Sequence, residues 1–328
     1  MRRREFITLI GGAAAWPLAA RAEQPKNIPR LCFLLFDTGM LRSTRFDGFF
    51  EGLRDLGYVD GQNLTIDYLS ANGIGEQFPA LAAECLRLKA DIIAATTTPA
   101  AESAKNATRT TPIVLLALGD PVGTGLVDSL ARPGGNVTGS SMMVSEIAAK
   151  RLSLLKEAVP GMSRVLVLSY LVDPIAPLQV KALKAVAPSV GLTLEIQDIK
   201  TADDLPAAFE AGARERADGL LTTAESIFIA QRARVNELAA RYKLPSMYPY
   251  SIQVTGDGGL MAYDINIPDL QRRVAIYVDR ILKGAKPADL PIEQPTKFEF
   301  VINLKTAKAL GLTFSSGILS IADRVIEE

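Results

Sequence analysis

Leu31-Cys-Phe-Leu-Leu-Phe36, Asp91-Ile-Ile-Ala-Ala95 and Ile113-Val-Leu-Leu-Ala-Leu118 are short, nearly unbroken apolar runs. Such runs mark parallel strands buried on both faces. The segments between them carry helical spacing: Phe46, Phe49, Phe50, Leu53 and Leu56 recur with a 3.6 period and stop at Gly57, and Phe78 to Leu88 and Pro99 to Thr108 read as further helices. Leu64 to Leu69 alternates apolar with Thr and Asp, the pattern of a half-covered strand. This βαβ alternation predicts a parallel sheet with helices on both faces.

The pattern restarts after a turn-rich stretch, Arg132-Pro-Gly-Gly-Asn136. Helix is expected near Ser145 to Ala158, Leu178 to Val190, Leu205 to Ala213 and Ile227 to Tyr242. Strands are expected at Val165 to Ser169, Leu192 to Ile199, Gly219 to Thr222 and Pro245 to Tyr248. Three returns follow: a strand at Gly259 to Tyr263, an amphipathic helix at Asp269 to Leu282, and a strand at Phe298 to Ile302 with a helix near Lys305. The chain thus predicts an α/β protein of two doubly wound, Rossmann-like lobes joined by a multi-strand hinge. The expected division is 28–140 with 258–285 for the N-terminal lobe and 141–257 with 286–328 for the C-terminal lobe.

Residues 1–22 have a different character. Arg2, Arg3 and Arg4 precede an apolar run from Phe6 to Leu18, and Ala20-Arg21-Ala22 offers small residues at a cleavage site. This is the form of a secretory signal, cut between Ala22 and Glu23. Arg3-Arg4-Glu5-Phe6-Ile7 resembles a twin-arginine motif, so the export route stays open between the folded and unfolded pathways. Four arginines and Glu5 leave with the signal, which takes the formal net charge from zero to −3 and removes Trp16, the one tryptophan. No later run approaches the ~18 apolar residues of a membrane helix, so a soluble periplasmic protein is expected.

Composition excludes much chemistry. The 328 residues contain no histidine, which removes His-based nucleophile activation, His general bases and His-ligated zinc. Balanced charge, 36 basic against 36 acidic residues, gives no basic face for nucleic acid. No cofactor or metal site is expected. Gly119-x-x-x-Gly123-x-Gly125 does not form a dinucleotide fingerprint, because Asp128 stands where the third glycine belongs. Cys32 and Cys85 both sit at apolar positions; they read as buried free thiols, with a bridge as the alternative.

Ligands of open α/β sheets bind beyond the carboxyl ends of the strands. That rule selects Phe36, Asp37 and Thr38, then Thr97 and Thr98 at a helix start suited to a carboxylate, and Asp120, in the first lobe. In the second it selects Tyr170, Glu225, Ser226, Tyr248 and Tyr250. Tyr263 and the following Asp264 join them, so four tyrosines are expected around the cleft. Tyrosine offers a ring face and a polar tip to a flat ligand. Asp120 and Asp264 are the expected acceptors for an amine. The bland alternatives are a helix cap for the threonines, a turn for Asp120-Pro121 and core packing for any single tyrosine.

Leu53-Arg-Asp-Leu-Gly-Tyr-Val-Asp-Gly-Gln-Asn63, Gly119-Asp-Pro-Val-Gly123, Leu130-Ala-Arg-Pro-Gly-Gly-Asn-Val-Thr-Gly139, Arg151-Leu-Ser-Leu-Leu-Lys156 and Ile281-Leu-Lys-Gly-Ala-Lys-Pro-Ala-Asp-Leu-Pro291 carry a resemblance. With Pro112-Ile-Val, they resemble ABC transporter substrate-binding proteins of the tryptophan/tyrosine-binding, TrpX-like kind, across nearly the whole mature chain. The loop Asp37-Thr38-Gly39-Met40 is short for that family. The resemblance implies the type I periplasmic-binding fold, no enzymatic activity, an amino-acid ligand of aromatic type and delivery to an ABC permease by a monomer. An extracytoplasmic sensory receptor, and behind it an exported enzyme, are the competing functions.

Overall fold

A computed structural model describes residues 28–42 and 46–327; the signal expected over residues 1–22 lies outside the described residues. The first sheet contains β1 (Arg30–Leu35), β2 (Thr65–Ser70), β3 (Ile92–Ala95), β4 (Ile113–Leu118) and β5 (Val137–Ser141) in the order β2-β1-β3-β4-β5, all parallel. The second contains β6 (Arg164–Ser169), β7 (Thr193–Asp198), β8 (Gly219–Thr222), β9 (Ser246–Tyr248), β10 (Met261–Ile265), β11 (Phe298–Asn303) and β12 (Arg324–Ile326). Its order is β12-β11-β10-β9-β8-β6-β7, parallel except where β10 meets β11. Read from β7 to β10, the second sheet repeats the strand order of the first. Two lobes of one architecture result, as the alternation predicts.

Burial follows position in the sheet. The unbroken runs of β1 and β3 are central and fully enclosed, whereas β2 and β7 lie at edges and are half-buried. The alternating Thr and Asp of β2 are the consequence. Among the described residues no helix is long and apolar enough to cross a membrane.

Four features differ from the sequence reading. β5 lies where the sequence reading places no element: Val137-Thr-Gly-Ser-Ser141 has weak strand chemistry but is wholly buried. Gly139 is required there, because its φ of +125° and a backbone approach that would put a Cβ 2.9 Å from Leu115 Cα exclude other residues. The helix expected over Ile227 to Tyr242 is broken at Gln231 into Ser226–Ala230 and Arg232–Arg241. Met261–Ile265, placed by sequence in the N-terminal lobe, is hydrogen-bonded into the second sheet, and only the following helix, Ile267–Leu282, lies on the first lobe. Finally, the cysteines are bonded rather than free: helix Phe78–Arg87 lies against β1 and brings Cys85 to Cys32 with Cα atoms 5.7 Å apart. The expected burial is present; two lone cysteines in a sequence do not reveal which helix crosses which strand.

The chain passes between lobes three times: after β5, between β10 and helix Ile267–Leu282, and in the Pro-rich segment before β11. That last segment runs along β5, where Glu293 N–H donates to Gly139 O (2.9 Å) and Thr138 Oγ1 donates to Leu290 O (2.7 Å). Helix Ile267–Leu282 is fixed to helix Asp47–Asp55 by close approach at two glycines. A Cβ on Gly48 would lie 2.7 Å from Pro268 Cα, and one on Gly52 would lie 2.7 Å from Ala275 Cβ. Tyr58 Oη adds a hydrogen bond to Asp279 (3.0 Å). Gly52→Val is expected to force these helices apart and destabilise the protein by roughly 1–3 kcal/mol. Denaturant unfolding measures this, and an unchanged midpoint would show that the seam is not close-packed.

Candidate functional site

In a sheet ordered 2-1-3-4-5 the switch point lies between the first and third strands, and ligands sit beyond their carboxyl ends. Here the switch points are β1/β3 and β6/β8, and the fold turns them toward each other. Thr96, Thr97 and Thr98 after β3 face Asp173 after β6 and Ala224 and Ser226 after β8. Gly119, Ile175 and Tyr250 complete much of the wall, and the cavity between them is about 20 Å³. That is room for roughly one water. The lobes meet so closely that a Cβ on Gly119 would lie 2.5 Å from Ile175 of the opposite lobe.

The threonines are positioned by the helix they begin. Thr97 is extended (φ −141°, ψ 158°), its Oγ1 accepts from Ala100 N–H (3.3 Å), and Pro99 occupies the first turn, where no amide donor is needed. Thr98 hydrogen-bonds across the cleft to the Asp173 carboxyl. Both threonines therefore act as helix-start residues and line the cavity. Asp173, which the sequence reading does not select, also accepts from Ile175 N–H (3.1 Å) as helix Ile175–Val186 begins. Burial pushes its pKa up to about 7.

Glu225 lies just behind Asp173 and is almost fully enclosed. Its carboxyl accepts from Gln179 Nε2 (2.7 Å), from the Thr223 hydroxyl and from Tyr170 N–H (3.4 Å). Gln179 Oε1 in turn accepts from Ala224 N–H (3.0 Å), which fixes the amide's orientation. Burial, reinforced by the nearby Asp173, raises the Glu225 pKa to about 8. Ser226 lines the cavity beside it. Tyr250 does so too and donates its hydroxyl to Ala224 O (2.7 Å). Tyr170 and Phe36 meet edge to face across the lobes, ring centres 6.4 Å apart.

The remaining expected residues lie elsewhere. Asp37 accepts from Gly39 N–H (2.6 Å) in its own turn, and Thr38 is exposed at the start of a short 3-10 helix. Asp120 fixes its turn by accepting from Gly123 N–H (2.8 Å) and faces a separate groove. Tyr248 is a core residue of β9, and Tyr263 stacks on Phe298 with planes 4° apart. Asp264 accepts from Ser251 N–H (2.8 Å) and Ser251 Oγ (3.1 Å) in a second cavity at the hinge. Of the four tyrosines expected around the cleft, Tyr250 lines this cavity and Tyr170 lies at the inter-lobe contact with Phe36. Of the carboxylates, Asp173 lines this cavity, whereas Asp264 lines the hinge cavity and Asp120 the separate groove.

Beneath the hinge lies Arg151, 1% exposed. Its Nε donates to Tyr263 O (2.9 Å) and its Nη2 to Pro249 O (3.4 Å). Burial lowers its pKa to about 10, opposed by the charges of Asp264, Tyr250, Tyr263 and Glu225, so it stays protonated at neutral pH.

The family model for ABC transporter substrate binding proteins matches residues 38–326. The chain belongs to that family. A tyrosine-binding protein of Clostridioides difficile is 29% identical over 265 residues, which cover 81% of this chain and 76% of the relative. A substrate-binding relative from Streptococcus pneumoniae, solved as an ABC domain in complex with L-Trp, is 27% identical with a TM-score of 0.83, covering 91% of this chain and 99% of the other. The ligand-free, open structure of a Clostridium difficile substrate binding protein with adhesive properties is also 27% identical, covering 92% and 100%, but has a TM-score of only 0.63. At equal identity, this substrate-binding protein follows the liganded relative more closely than the open one. The tightly closed cleft is the same observation seen from inside, and the architecture is the type I periplasmic-binding fold.

Arg151→Met is expected to leave the Tyr263 and Pro249 carbonyls and the Asp264 charge without their buried cation. A stability loss of about 3–5 kcal/mol should follow, read as a lowered denaturant midpoint. A change of less than about 1 kcal/mol would show that this cation is not integral to the hinge.

Proposed function

We propose that this protein is the exported solute-binding component of an ABC importer, closing its two lobes on an amino acid of aromatic type and presenting it to a membrane permease. The observation that carries this reading is the polarity of the cavity. One wall is the Thr97–Thr98 helix start, where the positive end of a helix suits a carboxylate. The facing wall holds Asp173 with Glu225 behind it, acceptors suited to an ammonium. A zwitterion has those two poles. Tyr250 supplies a ring surface in the cavity wall, and the Phe36–Tyr170 ring contact lies between the same lobes.

The relatives that bind tyrosine and tryptophan support the aromatic class. Nothing in such a task needs a nucleophile or a general base; it needs hinge closure around a complementary ligand, and the three inter-lobe passages are suited to that. The signal-like residues 1–22 support export to the periplasm, where the mature chain would act as a monomer.

Residues 23–328 contain no tryptophan, so the emission of added L-tryptophan can be followed almost free of protein background. After unfolding and refolding to strip any carried ligand, a saturable change reversed by L-tyrosine is expected. No change with either amino acid, alongside thermal stabilisation by another solute, would contradict the aromatic reading.

A further inference from the structure

Tyr170, just past the end of β6, is only 4% exposed, and contacts from the first lobe cover it. Its ring meets Phe36 edge to face, and its hydroxyl lies over Gly75, where a Cβ would stand 2.8 Å from Tyr170 Oη. Beyond its own stretch of chain, only Tyr170 among the described residues comes within 4 Å of that position. Gly75 is not one of the glycines with positive φ, so its backbone accepts a side chain. The glycine is therefore required by the tyrosine of the opposite lobe, not by its own conformation.

Both sides of this contact are firmly built. Phe36 directly follows β1, and its carbonyl accepts from Gly73 N–H (2.8 Å). Gly75 opens the 3-10 turn Gly75–Gln77, which runs straight into helix Phe78–Arg87. The Cys32–Cys85 bridge ties that helix to β1, and so joins the element behind Gly75 to the element behind Phe36. On the second lobe, Tyr170 O accepts from Asp173 N–H (3.0 Å) and Tyr170 N–H donates to Glu225 (3.4 Å). Leu171 N–H donates to Asp198 (3.0 Å). A ring held by its backbone thus seats in a socket held by a cross-link.

Phe36, Gly75 and Tyr170 do not line the inter-lobe cavity; the socket lies beside it. Parting the lobes there would return both rings to water. Aromatic side chains are among the largest apolar surfaces a protein buries, so the seated ring favours lobes in contact. Apparent affinity scales with the population of the arrangement that binds, so a contact away from the solute can set how tightly it is held.

We propose that Gly75 is a positioning residue for solute capture: by leaving room for Tyr170 beside Phe36, it keeps the lobes in touch while the cavity beside the socket widens around a solute. This rests on the reading that an amino acid is held between the lobes. A methyl at residue 75 has to displace the tyrosine ring or the lobe that carries it. Solute affinity then falls although no residue of the cavity wall has changed. Each lobe remains free to fold, because the added methyl meets only the other one.

The test is a double-mutant cycle on residues 23–328 with L-tryptophan as the probe. Gly75→Ala should raise the Kd about tenfold in the parent. In a Tyr170→Phe background, where the hydroxyl that meets the methyl is gone, the same change should cost less than about twofold. Tyr170→Leu, which empties the socket, should also raise the Kd. An unchanged Kd in Gly75→Ala, an equal rise in both backgrounds, or a Tyr170→Leu Kd equal to that of the parent would overturn the socket while leaving the amino-acid reading intact. Failure of both L-tryptophan and L-tyrosine to bind the parent would overturn the reading and the socket together.

Discussion

Everything in this molecule depends on two sheets of the same strand order presenting the carboxyl ends of their central strands to one another. Switch points create binding crevices because neighbouring loops leave a sheet in opposite directions there. One such crevice is shallow. Two that face each other, β1/β3 against β6/β8, enclose a cavity whose walls belong to different lobes. A ligand between them is held only while the lobes are together, which is why binding and closure are one event in this architecture.

Closure at this density places strict demands on polar groups. A space of about 20 Å³ admits little water, so each donor and acceptor on its walls must be satisfied by protein. Thr97 spends its hydroxyl on a helix start, Tyr250 on Ala224, and Gln179 is held at both ends of its amide. What resists this accommodation is the pair of carboxyls, since burying charge without a cation is unfavourable. The passages between lobes must meanwhile be held in register. The glycine seam of Gly48 and Gly52 answers that need, tying helix Ile267–Leu282 to the first lobe directly after a strand of the second.

Much of this was legible in the sequence. The apolar runs of β1, β3, β4 and β6 announce buried parallel strands, and their alternation with helices announces the two lobes. The threonines at the head of helix Thr98–Ala107 could be found because a helix start has its own chemistry. β5 could not, because Gly139 and its serines look like a loop until the backbone of Leu115 is seen beside them. Tyr248 and Tyr263 stand at strand ends as Tyr250 does, and only the strand order shows that they point into a core and onto Phe298. Asp173 hid in plain view. Asp173-Pro174 has the same composition as Asp120-Pro121, but one turn opens onto the cavity and the other onto a groove beside it.

With the lobes parted beyond the roughly 20 Å³ seen here, the inter-lobe cavity would take a zwitterion with its carboxylate toward Thr97–Thr98 and its ammonium toward Asp173. A crystal structure of the protein grown with L-tryptophan tests it most directly. One ligand is expected between the lobes, its carboxylate within hydrogen-bond distance of the helix start and its amine within reach of Asp173. Electron density for the ligand only at the hinge cavity of Asp264 or the groove of Asp120, or with its two poles reversed, would contradict it.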